Sequence, residues 1–210
     1  YCDYVGWARK VFVSGHYAYV ADDWQGLEII DISDPKRPFK VGSFSDFTKT
    51  TWYIYDVFVQ NGIAFLADNY RGVHVINVST PSAPSYITTY GGYGASSGIY
   101  IIGNSLVMCT IQGIRIVNIT DIYSPKLLSS IDIMGYGLDI QVDESCAYLA
   151  DSFGGLKIIN ISNPYEPLIL ESFKYHDYNL IMDVFKQENL VYIASFRDGL
   201  VIVDVSRSTS

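Results

Sequence analysis

Three aspartates recur at one position of this sequence and could together bind a cation. Asp56, Asp139 and Asp183 each stand at the start of a short apolar segment, DVFV, DIQV and DVFK respectively. Carboxylate oxygens are hard ligands that suit Ca²⁺ or Mg²⁺, so convergence of these side chains would form a cation site. The alternative is that each aspartate caps its own strand or turn and never meets the other two.

Aromatic residues beside carboxylates form a second pattern. The turns DDWQG, DNYRG and DSFGG each place an aromatic ring two residues after an aspartate. Flat rings stack on sugars and peptide groups, and carboxylates accept hydrogen bonds from hydroxyls or amides. The pattern predicts a ligand-binding loop surface, with the candidate residues Trp24, Tyr70, Trp52, Tyr178, Tyr136 and Phe153.

The same residues have a structural interpretation. Asp22, Asp68 and Asp151 open those three turns, and a carboxylate at such a position commonly accepts backbone N–H groups of its own turn. The rings could likewise pack between neighbouring structural units. Only the contacts of each side chain separate these two interpretations.

Three Asn-x-Ser/Thr sequons are candidates for glycosylation in a secreted setting. They begin at Asn77, Asn118 and Asn160. Asp31 and Asp204 occupy the same position of related segments, which indicates that the position itself requires a short polar residue. The sequons therefore have a structural explanation that does not involve a glycan.

Motifs for catalysis are weak, and we expect no enzymatic activity and no cofactor apart from the cation considered above. The glycine-rich segment 91–98, GGYGASSG, leads into a strand-like segment, whereas a dinucleotide fingerprint must open a helix. The histidines His16, His74 and His176 occupy unrelated positions, and no GxSxG turn carries a serine nucleophile.

The composition limits the kinds of partner that we expect this chain to bind. The net charge of −8 argues against a general nucleic-acid binder, which needs clustered Lys and Arg. No apolar run approaches the length that spans a bilayer, so we expect no membrane insertion by this segment. Cys2, Cys109 and Cys146 follow no metal-ligand spacing and are interpreted as buried apolar residues.

The elements that position these residues repeat along the chain. A glycine followed by an apolar run, Asp or Asn, another apolar residue and Ser or Thr occurs five times, as GLEIIDIS, GVHVINVS, GIRIVNIT, GLKIINIS and GLVIVDVS. The period of roughly 40 residues, filled with strand-forming residues, suits one four-stranded blade of a β-propeller. We label the strands of each blade A to D.

The order of the strands follows from the turns. Strands A and B precede the repeat glycine as a hairpin, strand C follows it, and all seven prolines fall between strands C and D. If strand A lines the centre of a propeller, the B-to-C turns and the D-to-A loops emerge together. The aromatic candidates all lie in these two kinds of loop.

The runs LEIIDISDP, VHVINVSTP, LKIINISNP and LVIVDVS resemble the LVIVD repeat family. The resemblance implies a β-propeller from the extracellular or surface proteins of bacteria and archaea. It assigns no reaction, because the family as a whole has none. Copies three and five depart from the pattern, with TIQG and SFRDG in place of the aspartate-led turn, so we expect altered turns there.

The predicted organisation is a single β-propeller domain over 1–206 with a polar tail at 207–210. The repeats cover about 6–50, 51–92, 93–135, 136–177 and 178–206. The fifth copy has no segment resembling strand D. Either residues 1–5 complete that blade and close a five-bladed ring, or the five blades are part of a longer propeller.

These observations predict an extracellular or cell-surface binding or adhesion module that uses its aromatic and Asp-bearing loops. The expected partners are a protein or a glycan at the cell surface, with self-assembly as a further option. Two alternatives are a structural subunit of a surface assembly or filament, and a polysaccharide-acting enzyme, the latter by analogy with other propellers.

Overall fold

The computed structural model describes residues 6–45, 53–133, 135–174 and 180–207. The chain divides into two compact units, Tyr1–Ser96 and Ser97–Ser210. The described residues of both units form antiparallel β-sheets, with only two short 3₁₀ helices at Gly91–Tyr93 and Ser152–Gly154. Neither helix has the length and hydropathy that a membrane-spanning helix requires.

The first unit contains two four-stranded blades, each with its strands in chain order. Blade 1 consists of β1 (Lys10–Ser14), β2 (Tyr17–Asp22), β3 (Gly26–Asp31) and β4 (Phe39–Phe44). Blade 2 consists of β5 (Ile54–Gln60), β6 (Ile63–Asp68), β7 (Gly72–Asn77) and β8 (Ser85–Tyr90).

The second unit contains the other three sheets. Blade 3 consists of β9 (Ser96–Ile102, which begins at the unit boundary), β10 (Ser105–Thr110), β11 (Gly113–Asn118) and β12 (Lys126–Asp132). Blade 4 consists of β13 (Gly137–Val142), β14 (Cys146–Asp151), β15 (Gly155–Asn160) and β16 (Leu168–Phe173). Blade 5 has three strands among the described residues, β17 (Ile181–Gln187), β18 (Leu190–Ser195) and β19 (Gly199–Asp204).

The sheets confirm the predicted fold class, an all-β propeller of four-stranded blades, and each predicted repeat contains one of them. The proposed closing strand, residues 1–5, lies outside the described residues. The cysteine prediction is confirmed for Cys109 and Cys146, which are buried and unbridged, while Cys2 also lies outside the described residues.

The repeat glycine has a steric explanation. Gly26 and Gly72 open strand C with φ of 84° and 96°, a backbone conformation that side chains rarely adopt. A Cβ at either position would also overlap the backbone carbonyl oxygen at the end of strand D, which belongs to Phe44 or Tyr90. Glycine therefore lets strand D pair closely with strand C.

The altered turns predicted for blades 3 and 5 differ in kind. In blade 3 the turn is shorter, because only Ile111 and Gln112 separate strands B and C. The Thr110 hydroxyl takes the place of the aspartate: it accepts the Gln112 N–H at 3.2 Å and donates to the Gly113 carbonyl at 2.9 Å. In blade 5 the turn keeps its usual length, and the Ser195 hydroxyl accepts the N–H of Asp198 at 3.3 Å.

Apolar side chains fill the space between consecutive blades within each unit. One core joins blades 1 and 2, a second joins blades 3 and 4, and a third joins blades 4 and 5. In each core the B and C strands of one blade face strand A of the next. This arrangement holds the loops at the ends of neighbouring blades in fixed positions.

Candidate functional site

Two pairs of aromatic rings mark the loop end of the first unit. The rings of Trp7 and Trp24 have centroids 5.7 Å apart, and those of Tyr53 and Tyr70 have centroids 4.8 Å apart. The two pairs are equivalent in the repeat, because one ring precedes strand A and the other lies two residues beyond strand B. Each blade of this unit therefore presents the same kind of pair.

Arg9 connects the rings of the two blades. Its guanidinium carbon lies 5.6 Å from the ring centroid of Trp7 in blade 1 and 4.7 Å from that of Tyr55 in blade 2. Guanidinium groups at these distances are attracted to the electron-rich faces of the rings. We call the six residues the aromatic patch, which comprises Trp7, Arg9, Trp24, Tyr53, Tyr55 and Tyr70.

Asp23 holds Arg9 in place. The Arg9 Nη2 and Nε atoms both donate to Asp23 Oδ2, at 2.8 and 3.2 Å, while Asp23 Oδ1 is buried without a hydrogen-bond partner. Asp23 itself has a positive φ of 33°. A non-glycine residue in this region is strained and is retained where the surrounding structure determines it, which is common at binding sites.

Backbone hydrogen bonds fix the turns that carry the rings. The Ile54 N–H donates to the carbonyl of Asp23 at 3.1 Å, which joins the turn of blade 1 to strand A of blade 2. The Asn69 N–H donates to the carbonyl of Tyr53 at 3.0 Å, and this bond holds Tyr53 beside the turn that carries Tyr70. The patch is therefore built on the ends of strands rather than on a free loop.

The patch is accessible from solvent. Trp7 is 62% exposed, Trp24 is 40% exposed and Tyr70 is 68% exposed, while Tyr53 and Tyr55 are half-buried. The rings of Trp7, Trp24 and Tyr70 therefore present part of their apolar faces to solvent. Their apolar faces are available to a ligand.

Beneath the patch in blade 1 lies an unpaired carboxylate. Asp22 is fully buried, and neither of its carboxylate oxygens has a hydrogen-bond partner among the described residues. Burial raises the pKa of this carboxyl above its usual value, and the nearby Glu28 raises the pKa further. Lys40, which pairs with Glu28 at 2.7 and 2.9 Å from its two oxygens, opposes this rise in the Asp22 pKa without reversing it.

The equivalent residue of blade 2 is fully satisfied. Asp68 Oδ1 accepts the N–H groups of Tyr70 and Arg71, at 2.8 and 3.2 Å, and Asp68 Oδ2 lies 2.9 Å from Nε2 of the buried His74. The other ring nitrogen of His74 lies 2.8 Å from the Thr89 hydroxyl. The turn-supporting role predicted for these aspartates is thus seen at Asp68. It is wrong for Asp22 and Asp151, whose carboxylate oxygens accept no hydrogen bond from the described residues.

In the second unit, Tyr136 borders a groove of about 400 Å³ whose described lining is Ile111, Gln112, Asp132, Ile133, Gly135 and Tyr136. Tyr136 is 57% exposed and Phe153 is 52% exposed. The buried Asp151 beneath them lies 3.2 Å from the ammonium of Lys157. Burial raises the pKa of Asp151, and Lys157 opposes that rise.

Two of the three aspartates proposed as cation ligands accept backbone hydrogen bonds. Asp56 Oδ1 accepts the N–H of Val57 at 2.7 Å, and Asp139 Oδ2 accepts the N–H of Val184 in the next blade at 3.2 Å. Asp183 is exposed. Within the described ranges, no three His, Cys, Asp or Glu side chains are grouped as a metal site would require. The Asp56 contact matches the capping alternative, whereas the Asp139 contact reaches the residue after Asp183 in the next blade. The cation stays a prediction.

The sequon asparagines end strand C in the same way in three blades. Asn77 Oδ1 accepts the N–H and hydroxyl of Ser79 at 3.0 and 2.7 Å, and Asn160 Oδ1 does the same with Ser162 at 2.9 and 2.6 Å. Asn118 Oδ1 accepts the Thr120 N–H at 2.8 Å. Asp31 makes the same pair of bonds with Ser33, which accounts for the repeat position without a glycan.

Two predicted ligand residues, Trp52 and Tyr178, lie outside the described residues. The sequence reasoning missed Trp7, Arg9, Tyr53 and Tyr55. A signal for Trp7 was present, since Trp7, Tyr53 and Tyr136 each stand three residues before the repeat position held by Lys10, Asp56 and Asp139. Nothing in the pattern marked Arg9, because its role arises from packing across two blades.

The fold and its repeated loop geometry define a β-propeller built from one repeating unit. A model of the LVIVD repeat matches residues 5–46, 53–91, 134–175 and 181–210. These segments make up most of the chain, which therefore belongs to the LVIVD repeat family. The third repeat, whose turn is shortened, lies between the matched segments.

Two solved structures share the fold. The crystal structure of the computationally designed Ika8 protein, in its crystal packing No. 1 in P63, matches with a TM-score of 0.69 at 14% identity over 93% of this chain and 57% of that chain. The computationally designed Ika4 protein matches with a TM-score of 0.57 at 12% identity over 76% of this chain and 94% of that chain. This chain thus spans little more than half of the Ika8 chain. No curated protein matches the sequence.

Proposed function

We propose that this LVIVD propeller is a binding module that takes a carbohydrate on the aromatic patch, outside the cell or at its surface. The observation that carries the proposal is the repeated, solvent-exposed ring pair in blades 1 and 2, bridged by Arg9. A propeller blade needs only a turn at these positions, so the large exposed rings exceed the structural requirement.

The chemistry of the patch suits a sugar. The apolar faces of Trp24 and Tyr70 can stack on the C–H face of a pyranose ring. Arg9 supplies fixed N–H donors, since Asp23 holds its guanidinium while the side chain remains 35% exposed. A preformed set of rings and donors lowers the ordering cost of binding. The proposed binding uses side chains alone and includes no covalent step.

A glycan array and a peptide array, each probed with the purified chain, test the proposal. We expect retention on glycans and loss of that signal in Trp24→Ala and Tyr70→Ala. Because both rings are exposed, each substitution should lower the free energy of unfolding by less than about 1–2 kcal/mol. Truncation of a core aromatic would instead cost about 3–5 kcal/mol.

Tyr165→Ala is the matched control. Tyr165 is 64% exposed, close to the 68% of Tyr70, but it lies in a proline turn between strands C and D. We expect it to bind like the wild type. Equal loss of glycan binding in the control, or severe destabilisation by both patch substitutions, would contradict the proposal. Release of soluble sugar from a polysaccharide would favour the enzymatic alternative.

A further inference from the structure

The groove beside Tyr136 is a second place where the loops leave room for a ligand. Its volume is about 400 Å³, within the range of about 300–1,000 Å³ that is common for ligand-binding pockets. Its described lining comes from the B-to-C turn of blade 3 and from the connection between strand D of blade 3 and strand A of blade 4. These two blades belong to one unit and pack on each other through a shared apolar core, so both walls rest on the same support.

The short turn of blade 3 explains why a groove lies here. In blades 1, 2 and 4 the B-to-C turn has three residues between the strands and carries Trp24, Tyr70 or Phe153, respectively. In blade 3 the turn has only two residues, Ile111 and Gln112, and carries no aromatic ring. With one residue fewer and no ring, this turn fills less space than its equivalents do.

Hydrogen bonds fix both walls of the groove. The Ile133 N–H donates to the carbonyl of Gln112 at 2.9 Å, which ties the end of strand D to the turn of blade 3. The Tyr136 N–H donates to the Ser152 hydroxyl at 3.1 Å, and the Ser152 N–H donates to the Tyr136 carbonyl at 2.9 Å. Because Ser152 is buried in the turn of blade 4, Tyr136 is anchored there. Walls that are already fixed lower the ordering cost of binding.

One guanidinium group positions the polar side chains of the groove. Arg115 Nη2 donates to Gln112 Oε1 at 3.1 Å, and Arg115 Nη1 lies 3.1 Å from Asp132 Oδ1. The Arg115 side chain is only 13% exposed, whereas that of Asp132 is 79% exposed. Since Arg115 takes one oxygen of each side chain, the NH₂ group of Gln112 is left to donate to a ligand and Asp132 Oδ2 is left to accept from one.

The charges around the groove are compensated. Arg115 pairs with Asp132 at its polar end. Gly135 lines the groove directly over the buried Asp151, since a Cβ on Gly135 would overlap Asp151 Oδ1, and Asp151 in turn lies 3.2 Å from the ammonium of Lys157. A ligand in the groove thus meets paired charges, which favours an uncharged ligand over a cation or an anion.

The arrangement of donor and acceptor suits a sugar. The amide of Gln112 and the carboxylate of Asp132 lie side by side, because the same guanidinium holds both. Adjacent hydroxyls of a pyranose ring can use such a pair, one donating to the carboxylate while the other accepts from the amide. The N–H and C=O of one peptide group point in opposite directions and cannot use both together. The exposed ring of Tyr136 can stack on the C–H face of the same pyranose.

We propose that the groove binds one neutral pyranose residue, with Tyr136 as the stacking ring and Gln112 and Asp132 as the hydrogen-bonding pair. Arg115 is a positioning residue that acts through those two side chains. The ligand class is the one proposed for the aromatic patch, but the groove shares no residue with the patch. Each site can therefore be tested without the other.

A titration followed by nuclear magnetic resonance tests the proposal, with the methyl glycosides of glucose, galactose and mannose as probes. The isotope-labelled chain carries Trp24→Ala and Tyr70→Ala, so that the aromatic patch does not contribute. We expect at least one glycoside to shift the side-chain amide signals of Gln112 and the backbone amide signals of Ile133 and Tyr136 in a saturable way.

Two substitutions isolate the contacts of the groove. Tyr136→Ala removes the ring, and Gln112→Glu keeps an oxygen for Arg115 while it removes the donor. Each should raise the apparent dissociation constant at least tenfold. Tyr123→Ala is the matched control, because Tyr123 is 73% exposed in the same blade but lies in the turn between strands C and D, and it should leave the affinity unchanged. Dispersed amide signals show that each variant is folded.

The proposal fails if no glycoside gives saturable shifts in the groove, or if either groove substitution leaves the affinity unchanged. Tighter binding of methyl glucuronide, which carries a carboxylate, or of a blocked alanine tripeptide than of every neutral glycoside would also overturn it. If a variant misfolds, the location of the shifted signals in the unsubstituted groove decides. A failed glycan array with an intact groove titration would contradict only the function proposed for the aromatic patch, and the reverse result would contradict only the groove.

Discussion

The same substitution should have opposite effects at two equivalent positions. Asp22 and Asp68 both end strand B of a blade, and both are 0% exposed. Within the part of the chain that the structure describes, neither oxygen of Asp22 has a hydrogen-bond partner, whereas Asp68 accepts two backbone N–H groups and contacts His74. We expect Asp22→Asn to stabilise the protein at pH 7 and Asp68→Asn to destabilise it.

The size of each change in unfolding free energy follows from the hydrogen-bond and charge partners of the carboxylate. Lys40 and Arg9 form ion pairs with Glu28 and Asp23. Lys40 offsets part of the cost of burying the Asp22 charge, and burial together with Glu28 outweighs it. A buried unsatisfied group costs about 1–3 kcal/mol, and more when charged. Removing the charge should recover about 1–2 kcal/mol. Replacing the satisfied Asp68 should cost about 1–3 kcal/mol, the value of hydrogen bonds to a charged group.

The pH dependence distinguishes this explanation from a simple packing effect. Burial raises the pKa of Asp22 above the reference value of 3.8, so between these two values the folded state binds more protons than the unfolded state. Stability contributed by this group is therefore present at low pH and is lost as the pH rises. The advantage of Asp22→Asn should vanish near pH 3.8 and grow above it.

Urea denaturation of the wild type and both variants at pH 4 and pH 7 measures these free energies. The outcome that refutes the reasoning is a less stable Asp22→Asn at pH 7, or a stabilisation of equal size at both pH values. Equal responses of the Asp22 and Asp68 variants would show that the local partners do not determine the sign.

Three further predictions concern the repeat. Leu27→Ala should lower the free energy of unfolding by about 2–5 kcal/mol because Leu27 is fully buried. Leu200 occupies the same repeat position in blade 5 but is 65% exposed, so Leu200→Ala should lower it by less than about 1 kcal/mol. Urea denaturation in dilute solution measures both values. Gly42→Ala should cost about 1–3 kcal/mol, because its Cβ would overlap the carbonyl oxygen of Pro81 in the next blade; a melt that is unchanged would contradict this close approach. Asn77→Ala should lower the free energy of unfolding by about 1 kcal/mol, because it removes both hydrogen bonds from Ser79. Asn77→Asp introduces the residue type found in blade 1 and should lower it by less.

The blades were predictable because a short pattern determines each backbone feature. The glycine that opens strand C permits a positive φ and the close approach of strand D, and the Asp or Asn that ends strand C accepts hydrogen bonds from the residue two positions later. Both effects act within a few residues or across one strand pair. A local pattern is therefore sufficient to identify them.

The binding surface was only partly predictable. Trp24 and Tyr70 were identified because each lies in a turn that follows the pattern, and both are exposed. Arg9 was missed because its role depends on rings from two blades and on a carboxylate 14 residues away. Sequence position alone does not show which charged side chain of a loop will be held against which ring.

The aspartates at the end of strand B show a further reason why the site was less predictable than the blades. Their partners are determined by the third residue of strand C, which is Glu28 in blade 1, His74 in blade 2 and Lys157 in blade 4. Glu28 leaves Asp22 without a counter-charge, His74 completes the hydrogen bonding of Asp68, and Lys157 lies 3.2 Å from Asp151. Where strand C carries Arg115, strand B ends in Thr110, and the arginine turns to Asp132 at 3.1 Å.

The repeat therefore specifies the backbone of every blade and leaves the charge balance beneath each turn to one variable strand-C position. Blades with the same fold should consequently respond differently to pH. The uncompensated aspartate of blade 1 lies directly beneath the turn that carries Trp24 and the Asp23 partner of Arg9, and no equivalent charge is left unpaired beneath Tyr70. Protonation of Asp22 removes this buried charge without breaking a hydrogen bond, so a fall in pH towards 3.8 should stabilise the blade 1 turn in the wild type, and this response should be absent in Asp22→Asn.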